Sequence, residues 1–284
     1  MSGPGHKPAH NPAATPAVLS GIAALALAAF LWFIRPELAI LPLAGFAVSC
    51  LVASLCPSYG GFFLETVSRA KTKEPVVAVT FDDGPDPLTT PPLLELLDRH
   101  GVKAAFFVAG GRAAMHGELI EAIIARGHEI GNHSYHHDPL LMLRGRKTII
   151  REIETTQEAL QRYGVSPLAF RPPVGVTNSL LGGILDNLGL YVLNFSCRGY
   201  DFGNRRLKGL SGKVLKRVKP GDIILLHDTR PPGTTYSGPA SEINTWLREV
   251  DLVLSGLKLK GLRAVPLGEL IGRPVMVKTF SKSP

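Results

Sequence analysis

Cysteine is scarce in this chain, with only three copies among 284 residues. Cys50 and Cys56 lie in an apolar run near the N-terminus, and Cys197 stands alone in the remainder of the chain. A small secreted domain held together by disulfides would need more cysteines at regular spacings. The sequence therefore excludes a disulfide scaffold.

Charge is absent from two stretches near the N-terminus. Residues 17–34 and 38–56 contain no Asp, Glu, Lys or Arg, and only Arg35, Pro36 and Glu37 separate them. Each run is close to the ~20 apolar residues that a helix needs to cross a hydrocarbon core of ~30 Å. We predict a hairpin of two transmembrane helices in the inner or plasma membrane, with the bilayer as a partner.

Three alternatives to this hairpin stay open. Buried helices of a soluble protein could have the same composition. A cleaved signal peptide is disfavoured, because a second apolar run follows where a polar cleavage region is expected. Pro42 could make the second run re-entrant. A hairpin returns the chain to its starting side, and the positive-inside rule favours the cytoplasm for both ends. The flanking charges that carry this argument are Lys7, Arg69, Lys71 and Lys73, against Arg35 in the turn.

Acidic residues are absent from residues 205–219, which hold seven Lys or Arg in a chain of formal net charge +8. A solvated helix face would explain this stretch, and so would attraction to anionic headgroups or to a phosphorylated substrate. Because no aromatic residues interleave the charges and no recognised motif accompanies them, we expect no nucleic-acid partner.

The rest of the chain alternates short apolar runs with segments of helical spacing, which predicts parallel α/β architecture. We divide the chain into a disordered tail (1–16), the hairpin, a juxtamembrane linker (57–74), a catalytic domain (75–272) and a C-terminal tail (273–284). The predicted strands are residues 76–81, 103–108, 128–133, 168–172, 191–196, 222–227 and 262–267. The predicted helices are residues 89–100, 117–126, 146–163, 178–188, 209–218 and 240–258.

Ionisable residues collect at the carboxyl ends of five of these strands. They are Asp82 with Asp83, His133, Arg171, Asp201 and His227. Active sites of barrels and of open α/β sheets form at that edge. We therefore expect these side chains to meet in one site.

The first and third strands supply candidate metal ligands. A turn at Gly84-Pro85 allows one of Asp82 and Asp83 to bind a metal while the other abstracts a proton. His133 and His137 are four residues apart and could reach one ion, although His136 satisfies the spacing nearly as well. Two imidazoles and one carboxylate leave a position open for water, as in catalytic zinc sites.

The remaining residues can complete the hydrolysis of an amide. A metal lowers the pKa of its water towards ~7, and a nearby carboxylate can take the proton. His227 is the natural acid for the leaving amine, and Asp201 could orient it. Arg171 could pair with Asp82 and keep it ionised.

Five motifs of this chain resemble, in order, those of the polysaccharide deacetylase family, the NodB homology domain of carbohydrate esterase family 4. They are Thr80-Phe81-Asp82-Asp83-Gly84, His133-Ser134-Tyr135-His136-His137, Arg171-Pro172-Pro173-Val174-Gly175, Tyr200-Asp201-Phe202 and Leu225-Leu226-His227. The likeness spans roughly residues 75–270. It implies a distorted (β/α)7 barrel and a divalent ion, for which Zn²⁺ fits best and Co²⁺ is an alternative.

The resemblance also implies individual roles. Asp82 becomes the base and Asp83 a ligand, and His137 is selected over His136. In the third motif, Pro173 and Val174 would contact substrate, with the Val174 N–H as oxyanion donor. The family often has an aromatic residue where this chain has Val174. The oxyanion role does not depend on that side chain, because it uses only the backbone N–H. Asp201 and Phe202 stand where the family usually has Asp-Trp, so the acid is kept and a smaller aromatic would contact the substrate. Leu225 would line the acyl-methyl pocket.

The expected function is hydrolysis of an N-acyl group, by default N-acetyl, on an amino sugar of a polysaccharide or lipid-linked glycan. The first alternative is a deacetylase or deformylase of a lipid-linked sugar intermediate at the inner membrane. The second is a membrane-anchored carbohydrate-binding protein without turnover.

Overall fold

The computed structural model of this chain describes residues 15–55, 61–199, 209–229 and 240–279. The helices are α1 Pro16–Ile34, α2 Ile40–Leu55, α3 Thr90–His100, α4 Gly110–Met115, α5 Gly117–Ala125, α6 Arg146–Gln161, α7 Leu181–Leu188, α8 Leu210–Arg217, α9 Ala240–Leu259 and α10 Leu267–Ile271. The strands are β1 Val76–Asp82, β2 Ala105–Val108, β3 Glu129–Asn132, β4 Val165–Pro167, β5 Ala169–Phe170, β6 Tyr191–Val192, β7 Cys197–Arg198, β8 Ile223–His227, β9 Arg263–Ala264 and β10 Met276–Lys278.

The chain divides into two compact units. The larger unit comprises Val67–Asp138, Ile150–Arg171 and Leu193–Pro284. The smaller unit comprises Met1–Thr66, Pro139–Ile149 and Pro172–Val192, and it contains α1, α2, α7 and β6.

A parallel sheet forms the centre of the larger unit. Its strands lie in the order β5-β3-β2-β1-β8-β7, and β9 pairs with the beginning of β1. Every residue of β1 is buried, which explains its continuous apolar run, since a central parallel strand has both faces covered. Asp82 on β1 is in register with His227 on β8 and with Phe107 on β2. The strand ends that carry the candidate site therefore lie side by side.

The predicted α/β class is confirmed, and the sheet is a curled half-barrel. No pairing among the described residues of the larger unit joins β5 to β7, so a closed seven-stranded barrel is not what the structure shows. Within the predicted C-terminal tail, residues 276–278 form β10, which pairs with β4 in antiparallel fashion. These two short strands are distant in sequence, and only their pairing makes either one a strand.

The helices of the larger unit cover the sheet with apolar faces. On α3 the buried residues Leu93, Leu94, Leu96 and Leu97 join one core cluster with Phe81 and Phe106 of the sheet. The helix ends at Gly101, whose φ of 66° is the left-handed conformation that glycine adopts most readily. Of the predicted linker, Val67 bridges to Leu193 and Arg69 to Asp222, so this part belongs to the larger unit.

The smaller unit contains the two apolar helices. Both helices are long and apolar enough to cross a membrane, and only 11% and 6% of their apolar stretches are buried, unlike helices in a soluble core. Gly21 packs closely on the ring of Phe46, so the helices contact each other. Pro42 lies in the first turn of α2, where its missing N–H costs no hydrogen bond, and α2 continues through it. A membrane anchor and a signal sequence both fit these observations.

Candidate active site

Four candidate residues meet at the carboxyl edge of the larger unit's sheet. Asp82 ends β1, and His227 ends the neighbouring strand β8 in register with it. His133 follows β3 directly, and Arg171 follows β5. Parallel strands thus deliver side chains from distant parts of the sequence to one edge.

Asp83, His133 and His137 form the cluster that suits a metal ion. Oδ1 of Asp83 lies 3.3 Å from Nε2 of His133 and 3.0 Å from Nε2 of His137. All three ligand atoms lie within 4.8 Å of one another. Tetrahedral bonds of about 2.0–2.1 Å would place two ligand atoms about 3.3 Å apart, so the spacing fits one ion.

The backbone adopts uncommon conformations at two of these residues. The φ of Asp83 is 72° and that of His137 is 52°, which places both in the left-handed region. This region costs energy for residues other than glycine and persists only where surrounding contacts hold it. Such positions collect at functional sites, and here two of the three candidate ligands occupy them.

The charges within the cluster complement one another. Burial raises the pKa of Asp83, but hydrogen bonds from His133 and His137 outweigh it and hold that pKa well below its ordinary value. Burial lowers the pKa of His137, but the carboxylate of Asp83 outweighs it and raises that pKa. The carboxylate thus attracts positive charge to this point, and a cation could replace the proton on His137.

His133 is oriented by the backbone of Arg171. Its Nδ1 lies 2.7 Å from the carbonyl oxygen of Arg171, which can only accept a hydrogen bond. Nδ1 therefore carries a proton, and Nε2 faces Asp83. When protonated, Nε2 donates to that carboxylate, and when a cation replaces this proton, its lone pair is available as a ligand. Metal-binding imidazoles are commonly fixed in this way.

Arg171 is fully buried and places its guanidinium against Asp82. Nη1 donates to Oδ1 of Asp82 at 2.5 Å and to Oγ1 of Thr80 at 2.8 Å. The other nitrogens donate to the backbone oxygens of Leu193 and Asn194. Oδ2 of Asp82 lies on the side of the cluster, 3.7 Å from Nε2 of His133. One carboxylate oxygen is thus held by Arg171, and the other faces the candidate metal site.

Sequence spacing did not distinguish His136 from His137 as a metal ligand. In the structure, His136 turns away from the cluster. Its Nδ1 lies 2.6 Å from Oε1 of Glu152, and its side chain is mostly exposed. Oε2 of Glu152 also accepts the backbone N–H groups of Tyr135 and His136. Glu152 therefore fixes the loop that brings His137 to Asp83.

Sequence reasoning missed two buried carboxylates beside the site, Glu152 and Asp228. Glu152 interrupts the apolar stripe of α6 between Ile149 and Ile153, a pattern that could have marked it. Asp228 directly follows His227 and is fully buried, and burial raises its pKa to about 7 although hydrogen bonds from Thr90 and Thr89 oppose the shift.

For three of the remaining candidate residues, the structure gives a position but does not test the expected role. Leu225 is buried in β8, and Pro173 is buried in the smaller unit, where Val174 is half exposed with a φ of 54°. Asp201 and Phe202 lie outside the described residues. The roles expected for these residues stay predictions.

Comparisons with known proteins show which family this chain resembles. A family model described as polysaccharide deacetylase matches residues 69–193. The chain is 33% identical over 208 residues to the chitooligosaccharide deacetylase of Sinorhizobium fredii, a match that covers 72% of this chain and 96% of that protein. It is 32% identical over 212 residues to the peptidoglycan-N-acetylglucosamine deacetylase PgdA of Listeria monocytogenes, covering 74% of this chain and 42% of that protein.

A solved structure shares the fold. The crystal structure of the Bc1960 peptidoglycan N-acetylglucosamine deacetylase matches with a TM-score of 0.65 and 28% identity. The match covers 74% of this chain and 94% of that one.

Proposed function

This chain belongs to the polysaccharide deacetylase family, and we propose that it is a metal-dependent hydrolase that removes an N-acyl group, by default N-acetyl, from an amino sugar. The reaction class is hydrolysis of a carbon–nitrogen bond other than a peptide bond, as the names of the relatives indicate. The names of the relatives specify chitooligosaccharides and peptidoglycan N-acetylglucosamine as substrates. By analogy, we propose that the substrate of this chain is also the amide of an amino sugar.

One observation supports the proposal above the others. A carboxylate that is held by a buried arginine lies beside a cluster of one carboxylate and two imidazoles, at the carboxyl edge of the sheet. The paired carboxylate is Asp82, and the cluster is Asp83, His133 and His137. This arrangement separates a base from a set of metal ligands, and metal-assisted hydrolysis needs both.

Each side chain has a part in the reaction. Asp82 takes a proton from the attacking water through Oδ2, because Oδ1 is bound by Arg171. The water oxygen bonds to the acyl carbon, and His227 gives a proton to the nitrogen as the carbon–nitrogen bond breaks. The products are a carboxylic acid, which then ionises, and a free amine.

Asp83, His133 and His137 would hold the divalent ion. When bound, such an ion supplies Lewis acidity that lowers the pKa of a water towards ~7 and polarises a carbonyl. Nitrogen and carboxylate ligands suit Zn²⁺, and Co²⁺ also accepts them.

The two apolar helices support a membrane anchor. A bilayer would cover large side chains that are exposed in the structure, including Leu25, Phe30, Trp32 and Phe33. The polar turn at Arg35 and Glu37 would then lie at one membrane surface and the start of α1 at the other.

Turnover by the full chain in detergent tests the proposal. The substrates are a chitooligosaccharide and a lipid-linked N-acetylated amino sugar, with the free amine detected by mass. We expect deacetylation of at least one substrate, loss of activity in a chelator, and recovery with Zn²⁺ or Co²⁺. Absence of turnover with a fully loaded metal site would favour a carbohydrate-binding protein instead.

A lipid-linked sugar is the second candidate substrate, and the apolar hairpin favours it because the substrate would share the membrane with the enzyme. A reporter fused to the C-terminus locates the catalytic domain. A reporter active only in the cytoplasm would favour a lipid-linked intermediate on the inner leaflet. A reporter active only outside would favour peptidoglycan or another external polymer.

A further inference from the structure

Asp228 occupies a buried position beside the proposed active site. It follows His227 at the end of β8, and its side chain is fully buried. Its backbone N–H donates to the carbonyl oxygen of Asp82 at 2.8 Å. The steps proposed for Asp82 and His227 make no use of it.

The Asp228 carboxylate binds the start of α3. Oδ1 accepts a hydrogen bond from Oγ1 of Thr89 at 2.8 Å, and Oδ2 accepts one from Oγ1 of Thr90 at 2.6 Å. Oγ1 of Thr90 also accepts the N–H of Asp86 at 2.8 Å. Residues 84–90, which connect Asp83 to α3, are therefore fastened at their far end to Asp228.

The near end of this loop, at Gly84, packs against the same Asp228 carboxylate. A Cβ at Gly84 would come within 2.6 Å of Oδ2 and 3.0 Å of the carbonyl oxygen of Asp228, so only a glycine backbone fits there. From the other side, the carbonyl oxygen of Gly84 accepts the N–H of Ala109 at 3.0 Å. Asp83, in its left-handed conformation, is the residue directly before this clamped glycine.

We propose that Asp228 is a positioning residue, which holds residues 84–90 in the conformation that presents Asp83 as a metal ligand. A left-handed aspartate needs such support, because an unrestrained loop would relax to a commoner conformation and withdraw the ligand. Because Asp228 extends β8, the same contacts tie the ligand loop to the strand that carries His227. This inference rests on the metal role proposed for Asp83.

Cobalt binding by the full chain tests the inference directly. Co²⁺ is titrated into metal-free protein, and its visible absorption reports affinity and ligand geometry without any turnover. We expect Asp228→Ala and Thr90→Val to weaken Co²⁺ binding about 10- to 100-fold, as loss of a supporting hydrogen bond commonly does. Thr90→Ser keeps the hydroxyl and should restore binding.

Asp222 is the matched control, because it is a buried aspartate at the opposite end of β8. Its carboxylate accepts hydrogen bonds from Ser196 and the N–H of Lys219 and pairs with Arg69. Asp222→Ala should lower the unfolding temperature and leave Co²⁺ affinity unchanged.

The inference is overturned if Thr90→Val and Asp228→Ala lose stability, as Asp222→Ala does, but bind Co²⁺ like the unaltered protein. Should Asp228→Ala not fold, the comparison of Thr90→Val with Thr90→Ser decides alone. Failure of the unaltered protein to bind Co²⁺ would instead refute the proposed metal site.

Discussion

Nη1 of Arg171 donates to Oδ1 of Asp82 at 2.5 Å, in a setting where neither side chain is more than marginally exposed. The carbonyl oxygen of the same arginine accepts the Nδ1 proton of His133. Arg171 therefore orients the proposed base with its side chain and a proposed metal ligand with its backbone. A substitution of Arg171 should remove the side-chain contact with Asp82 and leave the backbone contact with His133 in place.

Replacement of Arg171 by Met should strongly destabilise the protein and abolish activity. The change leaves the carboxylate of Asp82 buried without its counter-charge, which typically costs about 3–5 kcal/mol of unfolding free energy. Urea denaturation measures the loss. Arg171→Met combined with Asp82→Asn should recover part of the stability, because the uncompensated charge is gone. A double variant as unstable as the sum of the two single ones would contradict a direct interaction.

Substitutions of the adjacent residues Asp82 and Asp83 should differ in their effect on metal binding. Asp82→Asn should abolish turnover and retain the ion, because Asp82 is not in the ligand cluster. Asp83→Ala and His133→Ala should lose the ion. Metal content after dialysis distinguishes the cases. Equal loss from Asp82→Asn and Asp83→Ala would show that the division of roles is mistaken.

The neighbouring histidines offer a matched pair. His137→Ala should release the metal, whereas His136→Ala should retain it, because His136 contacts Glu152 and not Asp83. Both substitutions remove one imidazole from the same loop, so a general disturbance would affect them alike. Comparable metal affinity in the two variants would argue against the assignment of His137.

Acid should destabilise the fold through His128. Burial lowers its pKa from 6.5 to about 4, and the positive charge of Lys103 adds to the shift. Its Nδ1 accepts the N–H of Ala104, which requires a neutral ring. Because the unfolded chain takes up the proton first, this stabilisation is complete above pH 6.5 and is lost as the pH falls to about 4.

The contribution of this histidine to the unfolding free energy should fall by an amount on the order of 3 kcal/mol across that range. Buried Asp228, whose pKa is about 7, contributes with the opposite sign, so the histidine is isolated by a difference between two profiles. His128→Asn keeps an acceptor for the Ala104 N–H and removes the titration, so its unfolding free energy should lack this fall relative to the unaltered protein. A His128→Asn profile as steep as that of the unaltered protein would rule this histidine out as the cause.

Much of the candidate site could be predicted from the sequence, because local signals carry it. The apolar run Val76–Val79 at the start of β1 indicates a central parallel strand, and ionisable residues at the ends of such strands collect at one edge of the sheet. Asp82, Asp83, His133, Arg171 and His227 all lie at or directly after the ends of such strands. The spacing of two histidines is likewise a local property.

Other features escaped the sequence because they depend on contacts between distant segments. Residues 276–278 form a strand only by pairing with β4, and the half-barrel follows from which strands pair at its edges. Asp228 gains its place from two threonines at the start of α3, which no spacing in the sequence connects to it.

The residue types of the candidate site can be read directly from the chain: a pair of aspartates, a histidine motif and an arginine at the ends of predicted strands, preceded by two apolar runs. Which atoms face one another depends on the folded structure. Glu152 turns His136 outward, Arg171 occupies one oxygen of Asp82, and the clamped loop holds Asp83 in a left-handed conformation. The physical reason is that backbone periodicity fixes the edge at which a side chain emerges, whereas its direction depends on hydrogen bonds from segments far along the chain.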